Sequence, residues 1–342
     1  MTYAQKNTAR PKAVGFWLLA MALLVFAMVI VGGATRLTES GLSIVEWKPI
    51  TGALPPLSVE DWQEEFSAYQ QSPEYKKVNW GMSLEEFKTI FWWEWAHRLL
   101  GRLIGFAFLI PFLWFLAKKA IPQGFGPRIG VLFVLGGAQG ALGWWMVASG
   151  LVSEPAVSHY RLAAHLGLAL LIFCLLFWTA LDLLKLPRAA SSPNLRRWGW
   201  VFLAVLAVQI VFGAFVAGLD AGLAYNTWPL MDGRLVPGAL FESHDVLHDT
   251  LTVQFIHRHL AELVALLALV WAVLVWRAGW SRVLTLGLVT VVGLQFALGV
   301  ATLLAFVPVG LGTMHQGGAV VLLAFTLALM HDLKGGGRIH AH

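Results

Sequence analysis

His97, His165, His257 and His315 each stand near the beginning of a separate, strongly apolar segment of the chain. A titratable, metal-binding ring at membrane depth is costly to bury and is usually kept there for function. Two imidazoles on two neighbouring helices suit bis-axial ligation of a flat metal macrocycle, and four in two pairs suit two such groups. Structural zinc wants a closed set of four ligands, and the sequence has no Cys/His cluster to supply one. Non-haem iron would want a facial carboxylate as well; only Glu94, three residues before His97, is spaced to offer it. Glu94 and His97 share a helix face, whereas the residue at the same spacing before His257 is the neutral Gln254. A carboxylate beside a metal site could move protons or stabilise developing positive charge; the plainer alternative is an ion pair with Arg98 or Arg102. Arg98 and Arg258 directly follow two of the histidines. They are placed to pair with haem propionates or to snorkel to the membrane interface. Gly101, Gly105, Gly136, Gly140 and Gly143 leave room for a flat ring, or equally for close helix packing.

These residues need elements to hold them. The 342 residues are 58% hydrophobic and 13% charged, with a mean hydropathy of +0.69, a composition that fits a polytopic membrane protein. Apolar runs long enough to cross a bilayer fall at about 14–35, 93–117, 128–149, 160–184, 198–219, 253–276, 281–305 and 312–331. All eight are expected to be helices, because lipid leaves the backbone no other open-chain solution. Basic residues gather in the N-terminal tail (Lys6, Arg10, Lys12) and in alternate connections (Lys118, Lys119, Arg128; Lys185, Arg188, Arg196, Arg197; Arg277, Arg282). Lys334 and Arg338 follow the last run. This places both termini in the cytoplasm and accounts for the net charge of +5 without a nucleic-acid partner. The first run is too long for a cleaved signal and is read as a span. No long Arg/Ser-rich presequence precedes it, which leans towards a bacterial inner membrane. The single cysteine, Cys174, excludes an intramolecular disulfide.

The halves of the sequence resemble each other. Gly32 and Glu39-Ser40-Gly41-Leu42 match Gly213 and Asp220-Ala221-Gly222-Leu223 at a constant offset of 181. Glu94-Trp95-Ala96-His97-Arg98 matches Gln254-Phe255-Ile256-His257-Arg258. Gln139-Gly140-Ala141-Leu142-Gly143 matches Gln295-Phe296-Ala297-Leu298-Gly299, and His165-Leu166-Gly167 matches His315-Gln316-Gly317. The expectation is an all-α integral membrane protein of eight transmembrane helices, built as two tandem four-helix bundles related by a pseudo-twofold axis along the membrane normal. The units would cover residues 1–190 and 191–342, with a longer outer loop (about 36–92) in the first. The four histidines would lie in the first turn or two of their helices, all near the outer face.

The run Phe91-Trp92-Trp93-Glu94-Trp95-Ala96-His97-Arg98-Leu99-Leu100-Gly101-Arg102 resembles the signature of the haem A synthase family. So do Ser40-Gly41-Leu42-Ser43, Ala221-Gly222-Leu223-Ala224-Tyr225-Asn226-Thr227-Trp228-Pro229 and the His257-Arg258 and His315-Gln316 elements. The long first loop, with Glu46-Trp47-Lys48-Pro49, is similar to that of the proteobacterial and mitochondrial branch. The resemblance covers essentially the whole chain. It implies a membrane oxidoreductase that oxidises the C8 methyl of haem O to a formyl group for terminal oxidase biogenesis. It implies a haem b cofactor at His257 and His315, and substrate haem O at His97 and His165, with Glu94 as the catalytic carboxylate. An external electron donor is implied; haem O synthase, terminal oxidase assembly factors and further copies of the chain are candidate partners beside membrane lipid. Some members carry a cysteine pair in the first outer loop; this chain has none, so no such redox step operates here. The competing reading is a bis-His di-haem electron carrier or quinol oxidoreductase, which would set its haems at different depths. A transporter built from parallel repeats is the other alternative.

Overall fold

A computed structural model describes residues 8–48, 51–151, 157–184, 192–238, 240 and 242–334. Lys6, Pro49, Lys185, Arg188 and Arg338, used above, lie outside the described residues. The chain is helical: α1 (Pro11–Leu37), α2 (Val59–Tyr69), α3 (Pro73–Lys77), α4 (Leu84–Ala117), α5 (Gly126–Gly150), α6 (His159–Leu184), α7 (Pro193–Gly218), α8 (Thr250–Arg277), α9 (Arg282–Leu304) and α10 (Val309–Asp332). Eight of these, all but α2 and α3, are long and apolar enough to cross a membrane.

Local chemistry sets the boundaries. Pro11 and Pro193 open α1 and α7 at the first helical position, where the missing N–H is not needed. Ser83 and Glu86 form a capping box at the start of α4. Asp249 accepts from the Thr252 amide to start α8. Helix α4 therefore begins well before the apolar run predicted from residue 93, because its first turns are polar and capped. His97 consequently lies beyond the third turn of a 34-residue helix. This corrects the expectation that all four histidines would occupy a first or second turn, which holds for His165, His257 and His315.

Helices α1, α6, α7 and α10 pack on one another in the centre, and each carries one flanking helix: α4 on α1, α5 on α6, α8 on α7 and α9 on α10. The flanking pairs α4/α5 and α8/α9 also touch. In lipid there is little hydrophobic drive between helices, so packing and polar contacts hold them together. Fully buried Leu18, Met21, Leu176, Phe202, Trp271 and Leu329 fill the centre. The Trp271 indole donates to the Leu195 carbonyl at 2.9 Å, so its polar edge is satisfied. Polar links join helices from the two halves of the sequence. Arg36 makes a bidentate pair with Asp220, both contacts 2.9 Å. Gln316 on α10 donates to the Val29 carbonyl of α1 at 2.9 Å. At the opposite end Asp182 on α6 accepts from Arg128 at 3.0 Å, from His331 at 3.1 Å and from Lys334 at 3.3 Å.

The loop between α1 and α4 is a small layer of its own. Helices α2 and α3 and the first turns of α4 bury Phe66, Tyr69, Tyr75, Phe87 and Phe91 together. Sequence reading treats this stretch only as a long loop, because its helices are too short and mixed in polarity to stand out from the spans.

Candidate functional site

Each predicted histidine faces a glycine on a neighbouring helix. A Cβ added at Gly32 on α1 would lie 3.3 Å from Cε1 of His97 on α4, and one at Gly213 on α7 would lie 3.1 Å from Cε1 of His257 on α8. The corresponding distances are 2.9 Å between Gly143 on α5 and His165 on α6, and 2.7 Å between Gly299 on α9 and His315 on α10. The glycines lie in the last third of their helices, so all four imidazoles sit at the end of the bundle that carries the α1–α4 loop. The equal-depth expectation holds in space. His97 and His165 lie within electrostatic range of each other, as do His257 and His315.

Glutamine side chains orient two of the rings. Gln139 Nε2 lies 3.2 and 3.3 Å from the ring nitrogens of His165 and donates to its carbonyl at 3.1 Å. Gln295 Nε2 lies 3.2 Å from His315 Nδ1 and donates to that carbonyl at 2.8 Å. An outer partner of this kind fixes ring orientation at a metal site. Nδ1 of His257 is buried with no hydrogen-bond partner. Around the first pair, a Cβ at Gly105, Gly136 or Gly140 would meet nothing within 4 Å. Paired imidazoles, glycine cradles and open space along α4 and α5 fit a flat haem between helices. Among the described residues, no group of three or more His, Cys, Asp and Glu side chains is placed to hold a bare metal ion.

Glu94 is buried, and among the described residues its hydrogen-bond partners are all donors. Its Oε2 accepts from the Ser43 hydroxyl at 2.7 Å and the Ile44 amide at 2.6 Å, and its Oε1 accepts from Arg98 at 2.6 Å. Three donors, one of them charged, hold a carboxylate in a fixed pose. Arg98 also donates to the carbonyls of Ile44 at 2.8 Å and Glu46 at 3.3 Å. Arg258 does the same in its own loop, reaching Tyr225 O at 2.5 Å and Thr227 O at 2.8 Å. Both arginines thus tie a loop backbone down over a histidine helix, a role that neither propionate pairing nor snorkelling anticipates. The plainer expectation for Glu94, a pair with Arg98, is met; Arg102 instead donates to the Lys48 carbonyl at 3.1 Å. Behind this pair an open cleft of about 280 Å³ is lined by Lys48, Glu64, Glu65, Trp95, Arg98 and Arg102. Glu46, at 2.8 Å, and Glu65, at 3.1 Å, pair with Lys48 and push its ammonium well above the ordinary lysine range.

The sequence left several of these partners unseen. Ser43 was visible only as part of a motif, and Gln139 and Gln295 only as repeat elements. The Ile44 amide carries no side-chain signal at all. Gln316 packs against Gly33, directly beside the glycine that faces His97, so α1 touches both histidine groups.

The chain matches the family model COX15-CtaA, described as cytochrome oxidase assembly protein, over residues 15–327. It is 51% identical over 340 residues to a "Heme A synthase" of Parvibaculum lavamentivorans, covering 96% of each chain. It is 51% identical over 340 residues to one of Rhodospirillum centenum, covering 96% of this chain and 91% of the relative. It is 49% identical over 334 residues to one of Nitrosospira multiformis, covering 94% of each.

Proposed function

The chain belongs to the COX15-CtaA family of cytochrome oxidase assembly proteins, and from that membership we infer that it catalyses the haem A synthase reaction, the oxidation of a haem O methyl to a formyl group. The single observation that carries this reading is the asymmetry between two otherwise alike histidine sites. A buried, three-donor carboxylate stands one helical turn from His97, and a neutral amide takes its place before His257.

We assign residues 1–190 to a substrate unit and 191–342 to a cofactor unit, related by a pseudo-twofold axis along the membrane normal. Two further pairs support the relation: Glu39 and Asp220 both adopt the rare left-handed backbone, at φ 52° and 51°, and Arg98 and Arg258 grip equivalent carbonyls. His257 and His315 would hold haem b, and His97 and His165 would hold the substrate haem O. When bound, haem would supply the redox chemistry, with an external donor delivering the electrons that activate the oxidant consumed in the reaction. The chain's own part is to position the methyl edge near Glu94, which holds or releases a proton there or stabilises positive charge. Arg98, the Ser43 hydroxyl and the Ile44 amide keep that carboxylate from swinging away. The common depth of all four histidines disfavours a carrier that moves electrons across the membrane. The expected setting is a bacterial inner membrane with cytoplasmic termini.

Co-expression with a haem O source, followed by pigment extraction, tests the reading. Haem A should appear in cells with the intact chain. Folded protein that binds haem yet yields no haem A would sink the enzymatic assignment. For the division of labour, His257→Ala should remove the haem b spectrum and His97→Ala should leave it; the reverse result would exchange the two units.

A further inference from the structure

Gln316 directly follows His315 on α10, and successive side chains leave a helix in different directions. His315 turns into its own group of helices, against Gly299 of α9. Gln316 turns out of that group, onto α1. Its Nε2 donates to the Val29 carbonyl at 2.9 Å, and its Oε1 lies over Gly33, where an added Cβ would come within 2.5 Å of it. Gly32, the next residue of α1, backs the His97 ring, with 3.3 Å between an added Cβ and Cε1. One residue further along α10, Gly317 admits the Ile30 side chain of α1. A single amide side chain thus links the helix of His315 to the turn of α1 on which the His97 ring rests.

The matching place between α6 and α7 is built differently. By the repeat, α1 recurs on α7 at an offset of 181 and α6 recurs on α10 at an offset of 150. Gln316 then corresponds to Leu166, Gly33 to Ala214 and Gly317 to Gly167. Leu166 has no donor, and Ala214 carries the methyl group that Gln316 excludes at Gly33. A Cβ at Gly167 would meet nothing within 4 Å. Helices α6 and α7 come together further out instead, where Gly218 admits His159. The donor, the missing methyl and the close glycine contact therefore occur together between α1 and α10, at the level of the histidines, and are replaced together between α6 and α7.

Close glycine packing and a hydrogen bond are what hold helices in register in lipid. Coupling between sites is carried by such contiguous packed and hydrogen-bonded contacts. A shift of α10 at Gln316 moves the turn of α1 that holds Val29 and Gly32, and with it the surface behind His97. We propose that Gln316 is a positioning residue that couples the two histidine sites: the group held at His315 sets, through α1, how firmly His97 holds its own. The link joins His97 to His315 and leaves His165 and His257 out. Because coupling of affinities is reciprocal, a filled first site also tightens the second. The substrate site is then at its best only when the cofactor site is occupied, so substrate is not committed to a chain that lacks its cofactor. The inference rests on the assignment of a haem to each site.

Binding measurements on the full-length purified protein test it. Ferric haem O is titrated into protein that holds haem b at the second site, and into His257→Ala protein in which that site is empty, with tryptophan quenching as the signal. Haem O should bind about tenfold more weakly when the second site is empty. In Gln316→Met, which keeps the length but removes the donor, the two affinities should agree. A merely structural Gln316 would weaken both affinities together and leave their ratio alone, so an unchanged ratio in this variant overturns the proposal. Gly33→Ala pushes Gln316 from its seat and should also abolish the ratio; it decides the matter if Gln316→Met does not fold. Leu166→Ala, at the matching place between α6 and α7, should keep the tenfold ratio, and its loss there would put the coupling in the wrong interface. Equal affinities in the unmutated pair overturn the coupling and leave the two sites standing. A chain that binds haem at neither site would sink the site assignment itself.

Discussion

The two histidine sites use the same parts and differ in the direction of a few hydrogen bonds. In each, a glycine backs every imidazole, a glutamine steadies the second one, and an arginine after the first ties down two loop carbonyls. At the first site Glu94 accepts from the loop, through the Ser43 hydroxyl and the Ile44 amide. At the second, Gln254 donates to the loop, to the Tyr225 carbonyl at 3.1 Å. Ser43 corresponds, at the same offset of 181, to Ala224, so the hydroxyl is absent where the carboxylate is absent. The change is concerted: one site is built around an anion and the other around a neutral amide. A scaffold shared by two sites leaves the difference between them as the place to look for chemistry.

The most direct way to break the comparison is to make the first site like the second. Glu94→Gln keeps the shape but removes the charge and leaves Arg98 without its counter-ion. Haem A formation should fall by about a hundredfold or more, measured as extracted haem A at equal protein level. Haem content should stay near normal, because no histidine is touched. Wild-type yield from Glu94→Gln would mean that the carboxylate only anchors Arg98, and the asymmetry would lose its functional meaning.

Much of this was legible from residue types. The eight spans follow from apolar run length, and the four histidines and Glu94 stood out because ionisable groups at that depth are rare. The outer layer was not legible. Helices α2 and α3 bury Phe66, Tyr69 and Tyr75 against α4 through contacts between distant segments, and Glu74 reads in sequence as one more acid in an acidic loop. Asp182 and His331 were also missed. They are 149 residues apart, and nothing in either neighbourhood signals that they meet. The Ile44 amide could not be read at all, since every residue but proline has one.

The glycine cradles give a smaller and graded test of whether the two sites are held alike. At Gly299 an added methyl would sit 2.7 Å from the His315 ring, and at Gly143 it would sit 2.9 Å from that of His165. Both are closer than carbon atoms pack, so the ring must turn, at an overpacking cost of about 1–3 kcal/mol. If the second site holds haem b as proposed, Gly299→Ala should therefore shift or weaken its bands in the purified protein. Gly143→Ala should leave those bands alone and reduce haem A formation instead. If Gly143→Ala disturbed the haem b spectrum as much as Gly299→Ala does, the two sites would not be separable in the way proposed.

Among the described residues the outer layer's short helices have no counterpart over the second site, and pH should expose that difference with the gentlest effect. Burial in that layer pushes the Glu74 carboxyl up to about 8, against 4.5 for an ordinary glutamate. Between those values the folded layer holds a proton that the unfolded layer has already given up, so stability falls as pH rises through that window. Below it both forms are protonated, above it both are ionised, and the dependence flattens at each end. Limited proteolysis or amide exchange confined to residues 59–77 should therefore quicken from pH 5 to pH 8, while the loop after α7 shows no matching change. Glu74→Gln removes the titrating group and should leave the layer equally protected across the window. Were the layer to grow more resistant as pH rises, Glu74 would have to be ionised and paired in the folded protein.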